Sequence, residues 1–327
     1  MRRREALAAI AALGTWSGFA GVRAQPAKPA RIAALFNGTQ AVEKPTLEAF
    51  MRGLREHDYV DGRNVVLDLR YGEGRVDRLP AIVGELIARR PDVVLLQGSQ
   101  AIWAGKRATS TIPIVMVSVA DPAGQGLIKS LAKPGGNITG LAILTEADVA
   151  KRLELLREVF PQAATFGYLT NLSNPAMPAI WRQMEVSAKK MGVAVRLYDA
   201  TSADTLDAGL AKAAEQRPAA LLVEADVLLS TSRRKIVKFC LQHKLPSMWA
   251  SPLAAGDGGL MSYGANFTEH WTKSVAYVER ILRGARPAEL PVEQPALFQL
   301  LINQQTARAL GVTFPRSILN RADRIIE

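Results

Sequence analysis

Short apolar runs alternate with amphipathic segments along most of the chain, and this alternation limits the possible folds more than any other feature of the sequence. In the first part of the chain, strand-like apolar runs lie at residues 31–36, 65–71, 93–96 and 114–119, with helix-patterned segments between them. Strands joined by helices at this spacing form right-handed crossovers within a parallel sheet. We therefore predict a doubly wound α/β lobe.

The same alternation begins again after residue 140. Helix-patterned segments separate apolar runs at residues 166–170, 193–198, 219–223 and 246–250. A chain of 327 residues, of which 48% are apolar, is long enough to bury two such cores. We predict an α/β fold of two Rossmann-like, doubly wound lobes with a cleft between them.

The last third departs from this order, with a predicted strand at 258–263, a long helix at 268–282 and a strand at 298–302. We expect residues 263–290 to pack on the first lobe (30–140), and residues 291–327 to join the second lobe (141–262). The chain then crosses between the lobes three times. Crossings of this kind form a hinge, and hinged lobes close around ligands.

The N-terminus predicts export. Arg2-Arg3-Arg4 precedes an apolar, Ala-rich segment, and Val22-Arg23-Ala24 is a suitable signal-peptidase site. We predict a signal peptide at 1–24, with the Sec and twin-arginine routes both open. The single cysteine, Cys240, lies far from this site, so we expect neither a lipid anchor nor a disulfide. These features together predict a periplasmic protein.

The basic charge does not indicate a nucleic-acid partner. Removing residues 1–24 takes away four Arg and one Glu, so the net charge falls from +11 to +8. The remaining Lys and Arg are scattered along predicted helices, and no aromatic residues are interleaved with the longest run, Arg233-Arg234-Lys235. Binding of single-stranded nucleic acid depends on such aromatic residues, on which bases stack.

Gly124-Gln-Gly126 lies where a nucleotide loop could begin, between the predicted strand at 114–119 and a predicted helix. Lys129 occupies the place of the third glycine of the dinucleotide fingerprint, and the sequence has no Walker lysine motif. We interpret residues 133–137 as a helix stop and turn that lead into the first crossing. No cofactor is expected.

Signatures of metal and nucleophile chemistry are also missing from the sequence. His57, His243 and His270 are far apart, so we predict surface or capping histidines and no metal site. Ser262 lacks the leading glycine of a nucleophile elbow. We therefore predict that the protein is not an enzyme.

Polar residues recur where the predicted strands end. In open α/β sheets the ligand lies outside the carboxyl ends of the strands, so loops from both lobes should converge on the cleft. The predicted ligand-binding residues are Asn37, Thr39, Ser99, Gln100, Asp121, Asn171, Asn174, Asp226 and Tyr263. Glu224 and Asp226 suit either acid–base chemistry or an ammonium group. Helix N-termini behind Ser99 and Asn174 supply N–H groups for a carboxylate.

Several segments, in this order along the chain, carry a family resemblance. They are Tyr59-Val-Asp-Gly-Arg-Asn64, Tyr71-Gly-Glu-Gly74, Asp77-Arg-Leu-Pro80, Thr111-Ile-Pro-Ile-Val115, Asp121-Pro122, Pro134-Gly-Gly-Asn-Ile-Thr-Gly140, Gly259-Leu-Met-Ser-Tyr-Gly264, Leu290-Pro-Val-Glu-Gln-Pro295 and Arg321-Ala-Asp323. With these segments the chain resembles the ABC-transporter substrate-binding proteins of the type I periplasmic family. The similar branch includes tryptophan- and tyrosine-binding members.

The resemblance implies two lobes joined by three strands, no catalysis, and delivery of a small solute to an ABC permease in the inner membrane. By comparison with the aromatic-amino-acid binders, Asp121 or Asp226 would hold the ammonium group, and Ser99 and Gln100 the carboxylate. Trp103, Trp249 and Tyr263 would form the walls around a ring. We expect a monomer. The alternative is a periplasmic sensing module read by a signalling partner, and neighbouring genes would distinguish the two.

Overall fold

The computed structural model describes residues 28–143, 146–294 and 298–327, so the predicted signal peptide at 1–24 lies outside the described residues. The strands are β1 (Ala30–Phe36), β2 (Val65–Tyr71), β3 (Val93–Gln97), β4 (Ile114–Ala120), β5 (Ile138–Ile143), β6 (Thr165–Thr170), β7 (Ala194–Asp199), β8 (Leu221–Val223), β9 (Ser247–Trp249), β10 (Met261–Ala265), β11 (Phe298–Asn303) and β12 (Arg324–Ile326). The helices are α1 (Lys44–Glu56), α2 (Leu79–Ala88), α3 (Gly98–Ala108), α4 (Glu146–Val159), α5 (Met177–Met191), α6 (Ala203–Gln216), α7 (Val227–Thr231), α8 (Arg233–Gln242), α9 (Leu253–Gly256), α10 (Phe267–Leu282), α11 (Gln304–Leu310) and α12 (Arg316–Arg321).

The first sheet has the strand order β2-β1-β3-β4-β5, and its paired strands run parallel. Successive side chains of a strand point to opposite faces. Ala33 and Leu35 of β1 accordingly lie in a core with α2 and α3, and Ile32 and Ala34 in a second core with α1 and α10. The sheet is therefore covered by helices on both faces, as predicted for a doubly wound lobe.

The second sheet has the order β12-β11-β10-β9-β8-β6-β7. Its strand pairs are parallel except β10–β11, in which Tyr263 lies opposite Leu300. One core contains buried residues of α4 and α5, and another contains those of α6 and α8. The predicted architecture of two α/β lobes is confirmed.

The chain passes between the sheets at three places. It does so between β5 and α4, between β10 and α10, and between Glu293 and β11. Glu293 still belongs to the first lobe, because its carbonyl accepts a 2.8 Å hydrogen bond from the Ala142 N–H of β5. The prediction that Tyr263 packs with the first lobe is wrong, because pairing with β11 keeps Tyr263 in the second sheet.

Trp271 anchors α10 to the first lobe. Its ring stacks on Phe36 of β1 with a centroid distance of 4.3 Å and meets Phe50 of α1 edge-on at 5.5 Å. Aromatic pairs of this kind contribute about 0.5–1.5 kcal/mol beyond the area that they bury. A distant part of the sequence thus becomes part of the first core.

The helix predicted after Asp121 is not present, since residues 122–137, all within the described part of the chain, form turns and bends. Gly126 and Gly135 adopt positive φ, which breaks any helix there. The short elements α7, α9 and β12 were not predicted, because three to five residues carry too little periodicity. Among the described residues, no helix combines the length and the apolarity needed to cross a membrane.

Candidate ligand-binding cleft

A cavity lies between the lobes at the carboxyl ends of strands from both sheets; we call it the cleft cavity. Its lining includes Asn37, Gly38, Val42, Glu43, Ser99, Gln100, Ser118 and Thr268 from the first lobe and its helix α10. The second lobe contributes Asn174, Met177, Asp226, Val227, Ser230, Thr231, Arg233, Ser251 and Leu253. Its position is the one that the open-sheet rule predicts for a ligand.

Asp226 is the best-connected group of the cavity. It lies at the N-cap of α7, is 4% exposed, and receives the Leu228 N–H on Oδ1 at 2.9 Å. The same oxygen accepts from Asn171 Nδ2 at 3.1 Å. Oδ2 accepts from Asn174 Nδ2 at 2.8 Å and from Gln100 Nε2 at 3.0 Å. One carboxylate thus connects the exit loop of β6, the start of α7 and the opposite lobe.

The lobes are in contact across the cleft. The Gln100–Asp226 hydrogen bond joins α3 of the first lobe to α7 of the second. On the same side Gly74 approaches Thr231 so closely that a β-carbon at residue 74 would lie 2.9 Å from Thr231 Oγ1. This is the arrangement expected of hinged lobes in a closed state.

The N-terminus of α3 faces the cavity from the first lobe. Gly98 begins the helix directly after β3 with φ +73°, a conformation that favours glycine. Gly98, Ser99 and Gln100 all line the cavity, and the first N–H groups of a helix have no partner within it. Together with the helix dipole, such N–H groups favour an anion.

Two further charged side chains line the cavity. Glu43 is 8% exposed and accepts the Gly38 N–H at 2.9 Å. Burial raises the pKa of its carboxyl, although that hydrogen bond, a second one with the Thr46 side chain and the charge of Arg233 act in the opposite direction. Arg233 comes from the opposite lobe and forms an ion pair with Asp257. The cavity therefore holds opposite charges on opposite walls.

Of the predicted site residues, five line the cleft cavity: Asn37, Ser99, Gln100, Asn174 and Asp226. Asn171 lies behind them and holds Asp226. Thr39 and Asp121 serve turns, since Thr39 Oγ1 accepts the Val42 N–H at 3.3 Å and the exposed Asp121 accepts the Gly124 N–H at 2.8 Å. Tyr263 lies in β10 and stacks on Phe298.

The proposed aromatic walls lie elsewhere. Trp249 is buried in the second lobe and donates to Ser247 Oγ, and Trp103 donates to Gln125 Oε1 at 3.2 Å. Among the described residues that line the cavity, none is aromatic. The apolar part of the cavity is instead formed by non-aromatic side chains, which include Val42, Ile143, Met177 and Leu253.

Sequence reasoning missed Glu43, Ser118, Arg233 and Thr268 as lining residues. Glu43 is the N-cap residue of α1, and Thr268 lies in the first turn of α10. A search limited to strand ends does not include such helix starts. Ser118 lies within an apolar strand, where a β-bulge between Met116 and Val119 gives it φ +59°. No local signal distinguishes Arg233 from its basic neighbours.

The histidines were predicted as surface or capping residues. His57 and His243 are the C-cap residues of α1 and α8, as predicted. His270 departs from the prediction: it is 3% exposed, and its Nδ1 lies 3.0 Å from Ser118 Oγ of the cavity lining. Within the described residues no three His, Cys, Asp or Glu side chains are arranged to hold a metal ion.

His270 makes stability depend on pH. Burial lowers its pKa to about 4, with a smaller contribution from Lys273, whereas an unfolded histidine titrates near its ordinary value of about 6.5. The unfolded chain therefore binds more protons between these values, and the contribution of His270 to stability is lost as the pH falls from about 7 to 4. With these two pKa values, the free energy of unfolding should fall by about 3 kcal/mol between pH 7 and pH 4 on account of His270.

The measurement is urea unfolding of the wild type and His270→Asn at pH 7 and pH 4. Carboxyl groups titrate in both proteins. The change in the free energy of unfolding between pH 7 and pH 4 should therefore be larger in the wild type than in the variant, and the difference between the two changes is the contribution of His270. An equal change in the free energy of unfolding in both proteins would contradict this prediction.

Known proteins resemble this chain in sequence. A family model described as "ABC transporter substrate binding protein" matches residues 37–326. The Tyrosine-binding protein of Clostridioides difficile is 26% identical over 278 residues, which cover 84% of this chain and 80% of that protein.

Two solved structures share the fold. A conserved domain protein from Vibrio cholerae is 26% identical, with a TM-score of 0.86, over 91% of this chain and all of that one. An ABC domain from Streptococcus pneumonia, solved in complex with L-Trp, is 24% identical, with a TM-score of 0.83, over 90% of this chain and all of that one. The fold is the two-lobe fold of periplasmic binding proteins, and because the family model spans most of its length, the chain belongs to the ABC transporter substrate-binding protein family.

Proposed function

We propose that this protein is the solute-binding component of an ABC importer and that it captures an amino acid or a related small carboxylate in the cleft cavity. The observation that carries this proposal is the contact between lobes around that cavity, above all the Gln100–Asp226 hydrogen bond. A solute held between the lobes would favour the closed state by its contacts to both.

The polar groups of the cavity match the two ends of an amino acid. The first-turn N–H groups of α3 suit a carboxylate. The buried carboxylate of Glu43 in the wall of the first lobe suits a donor group. In this proposal the side chain of the solute packs against Val42, Met177 and Leu253. The C. difficile relative is a tyrosine-binding protein, so aromatic amino acids belong in the first panel of solutes.

In this proposal the protein acts in the periplasm, together with a permease of the inner membrane. Residues 1–24 direct export to the periplasm and are removed there. The protein works as a monomer, and its closed form delivers the solute to a permease in the inner membrane. The first lobe is built on β1–β5 and α10, and the second on β6–β12. The side chains proposed to surround the solute are those of Asn37, Ser99, Gln100, Asn174 and Asp226.

We expect at least one L-amino acid to raise the melting temperature of the purified protein by several degrees. A ligand that binds only the folded state adds about 2.7 kcal/mol of stability when present at 100 times its Kd. The measurement is a thermal-shift screen of the twenty L-amino acids and their carboxylate analogues, with isothermal titration of the hits.

A neutral sugar serves as the negative control in the screen. If a sugar stabilises the protein and no amino acid or carboxylate does, the proposed solute class is wrong. Recovery of chemically unchanged solute after titration would support binding without catalysis.

A further inference from the structure

Two buried oxygen atoms of the cleft cavity receive no hydrogen bond from the described part of the chain. Asn37 Oδ1 and Gln100 Oε1 belong to lining residues, and each is buried without a hydrogen-bond partner among the residues that the structure describes. Asn37 is more than nine-tenths buried, at 7% exposure. Buried polar atoms in folded proteins are nearly always paired, so two unpaired acceptors at one site indicate that a donor is to be supplied there.

The neighbouring groups determine which atom of each amide is free. Asn37 Nδ2 donates to the carbonyl oxygen of Gln97 at 3.0 Å, and Gln100 Nε2 donates to the Asp226 carboxylate at 3.0 Å. Both partners can only accept, so turning either amide over would place oxygen against oxygen. The unpaired atoms are therefore acceptors. Both amides lie beside Gly98: a β-carbon there would be 3.2 Å from Asn37 Nδ2 and 4.0 Å from Gln100 Oε1.

Asp226 is poorly placed to bind a donor from the solute. Its two oxygens already accept four hydrogen bonds, two at each oxygen. An ionised carboxylate offers about four acceptor positions, so a further donor would have to displace one that is present. Asp226 thus holds the second lobe and the closed state together.

Glu43 is the carboxylate that remains for a cation. It lies in the same wall as Asn37, linked to it through Gly38, whose N–H it accepts. Within the described residues Glu43 takes part in no ion pair, and Arg233 across the cleft is paired with Asp257. The raised pKa of Glu43 shows that burial of its charge is not fully compensated. A cation in the cavity would compensate it.

We propose that the solute carries a protonated amine, and that Asn37 Oδ1, Gln100 Oε1 and Glu43 of the first lobe bind that amine. This inference rests on the proposed capture of a solute in the cleft. The amine then lies against the first lobe and is not bound by Asp121 or Asp226. A solute without an amine should bind weakly.

The first test compares matched solutes by isothermal titration. The probes are L-tyrosine and L-tryptophan, their amine-free counterparts 3-(4-hydroxyphenyl)propionate and indole-3-propionate, and their carboxylate-free counterparts tyramine and tryptamine. The inference predicts that loss of the amine weakens binding at least tenfold, the size expected for loss of a charge-assisted hydrogen bond.

The outcomes separate this inference from the proposed function. Binding by the amino acids alone supports both, and equal binding by the amine-free acids supports capture of a carboxylate but overturns the amine site. Binding by the amines alone supports the amine site and overturns the amino-acid proposal. Binding by none of the six overturns the amine site as assigned, and the wider solute screen then decides the proposed function separately.

The second test uses Glu43→Gln, which keeps the shape of the side chain and an oxygen for the Gly38 N–H. We expect this variant to bind the amine-bearing probes at least tenfold more weakly and to bind amine-free acids as the wild type does. Glu48→Gln is the matched control, because Glu48 is an exposed carboxylate on α1 outside the cavity lining. Unchanged affinity of Glu43→Gln for the amine-bearing probes, or an equal loss for both kinds of probe, overturns the assignment.

Discussion

Replacing Arg152 with Met should lower the free energy of unfolding by about 3–5 kcal/mol, the usual effect of removing one partner of a buried ion pair. Arg152 of α4 pairs with Glu224 at the end of β8, and both side chains are 1% exposed. Methionine fills much of the same volume, so the expected loss arises from the uncompensated Glu224 carboxylate. Urea unfolding at pH 7 measures it.

A double variant, Arg152→Met with Glu224→Leu, is the control. Removing both charges together avoids a lone buried ion, and apolar replacements of buried ion pairs are often close to neutral. We expect most of the lost stability to return. A loss below about 1 kcal/mol in the single variant, a value typical of exposed pairs, would contradict this account.

The Arg152–Glu224 pair also lies where the hinge meets the cleft. Arg152 borders a small cavity that is also lined by Ile143, Ala265 and Phe298, which are the ends of β5 and β10 and the start of β11. Glu224 precedes Asp226 by two residues. We therefore expect Arg152→Met to weaken solute binding in addition to its effect on stability.

The second large effect is expected for Asp226→Ala. Without the carboxylate, side chains in both lobes lose their acceptor, and the Gln100 contact that holds the closed state is lost. Solute affinity should fall about tenfold to hundredfold, the range for a hydrogen bond to a charged group. The loss should be equal for amine-bearing and amine-free solutes, in contrast to Glu43→Gln. Isothermal titration of both kinds of solute measures it.

Asp204→Ala is the matched control for Asp226→Ala. Asp204 is an exposed aspartate of α6 in the same lobe and lies outside the cavity lining. Its replacement should leave solute affinity unchanged. Selective loss of amine-bearing solutes in Asp226→Ala would instead make Asp226 the amine-binding group.

The strands were predicted well where their signal is strong. The apolar runs of β1, β4 and β6 are buried and appear close to their predicted limits, because a parallel sheet covered on both faces requires apolar residues on both faces. The prediction of a helix after Asp121 is wrong because the amphipathic pattern there is short and Pro122, Gly124 and Gly126 favour turns.

The candidate site was predicted in part. The rule that ligands lie at strand ends identified Asn37, Ser99, Gln100, Asn174 and Asp226, all of which line the cavity. The rule cannot separate a lining residue from a turn residue, as Asp121 shows, since both follow a strand and both are polar. The prediction of aromatic walls is wrong for a different reason. Trp249 is buried within its own lobe, and this burial depends on tertiary packing that the local sequence does not indicate.

The sequence by itself determined the two α/β lobes and the edge of each sheet at which a solute would bind, because hydrophobic periodicity and the alternation of strands with helices can be recognised locally along the chain. Only the tertiary structure decided which polar groups meet. Gln100 and Asp226 are 126 residues apart, and Arg152 and Glu224 are 72 apart. A carboxylate can bind a solute only if the protein's own donors leave some of its acceptor positions free. In this protein those donors come from different elements and from both lobes.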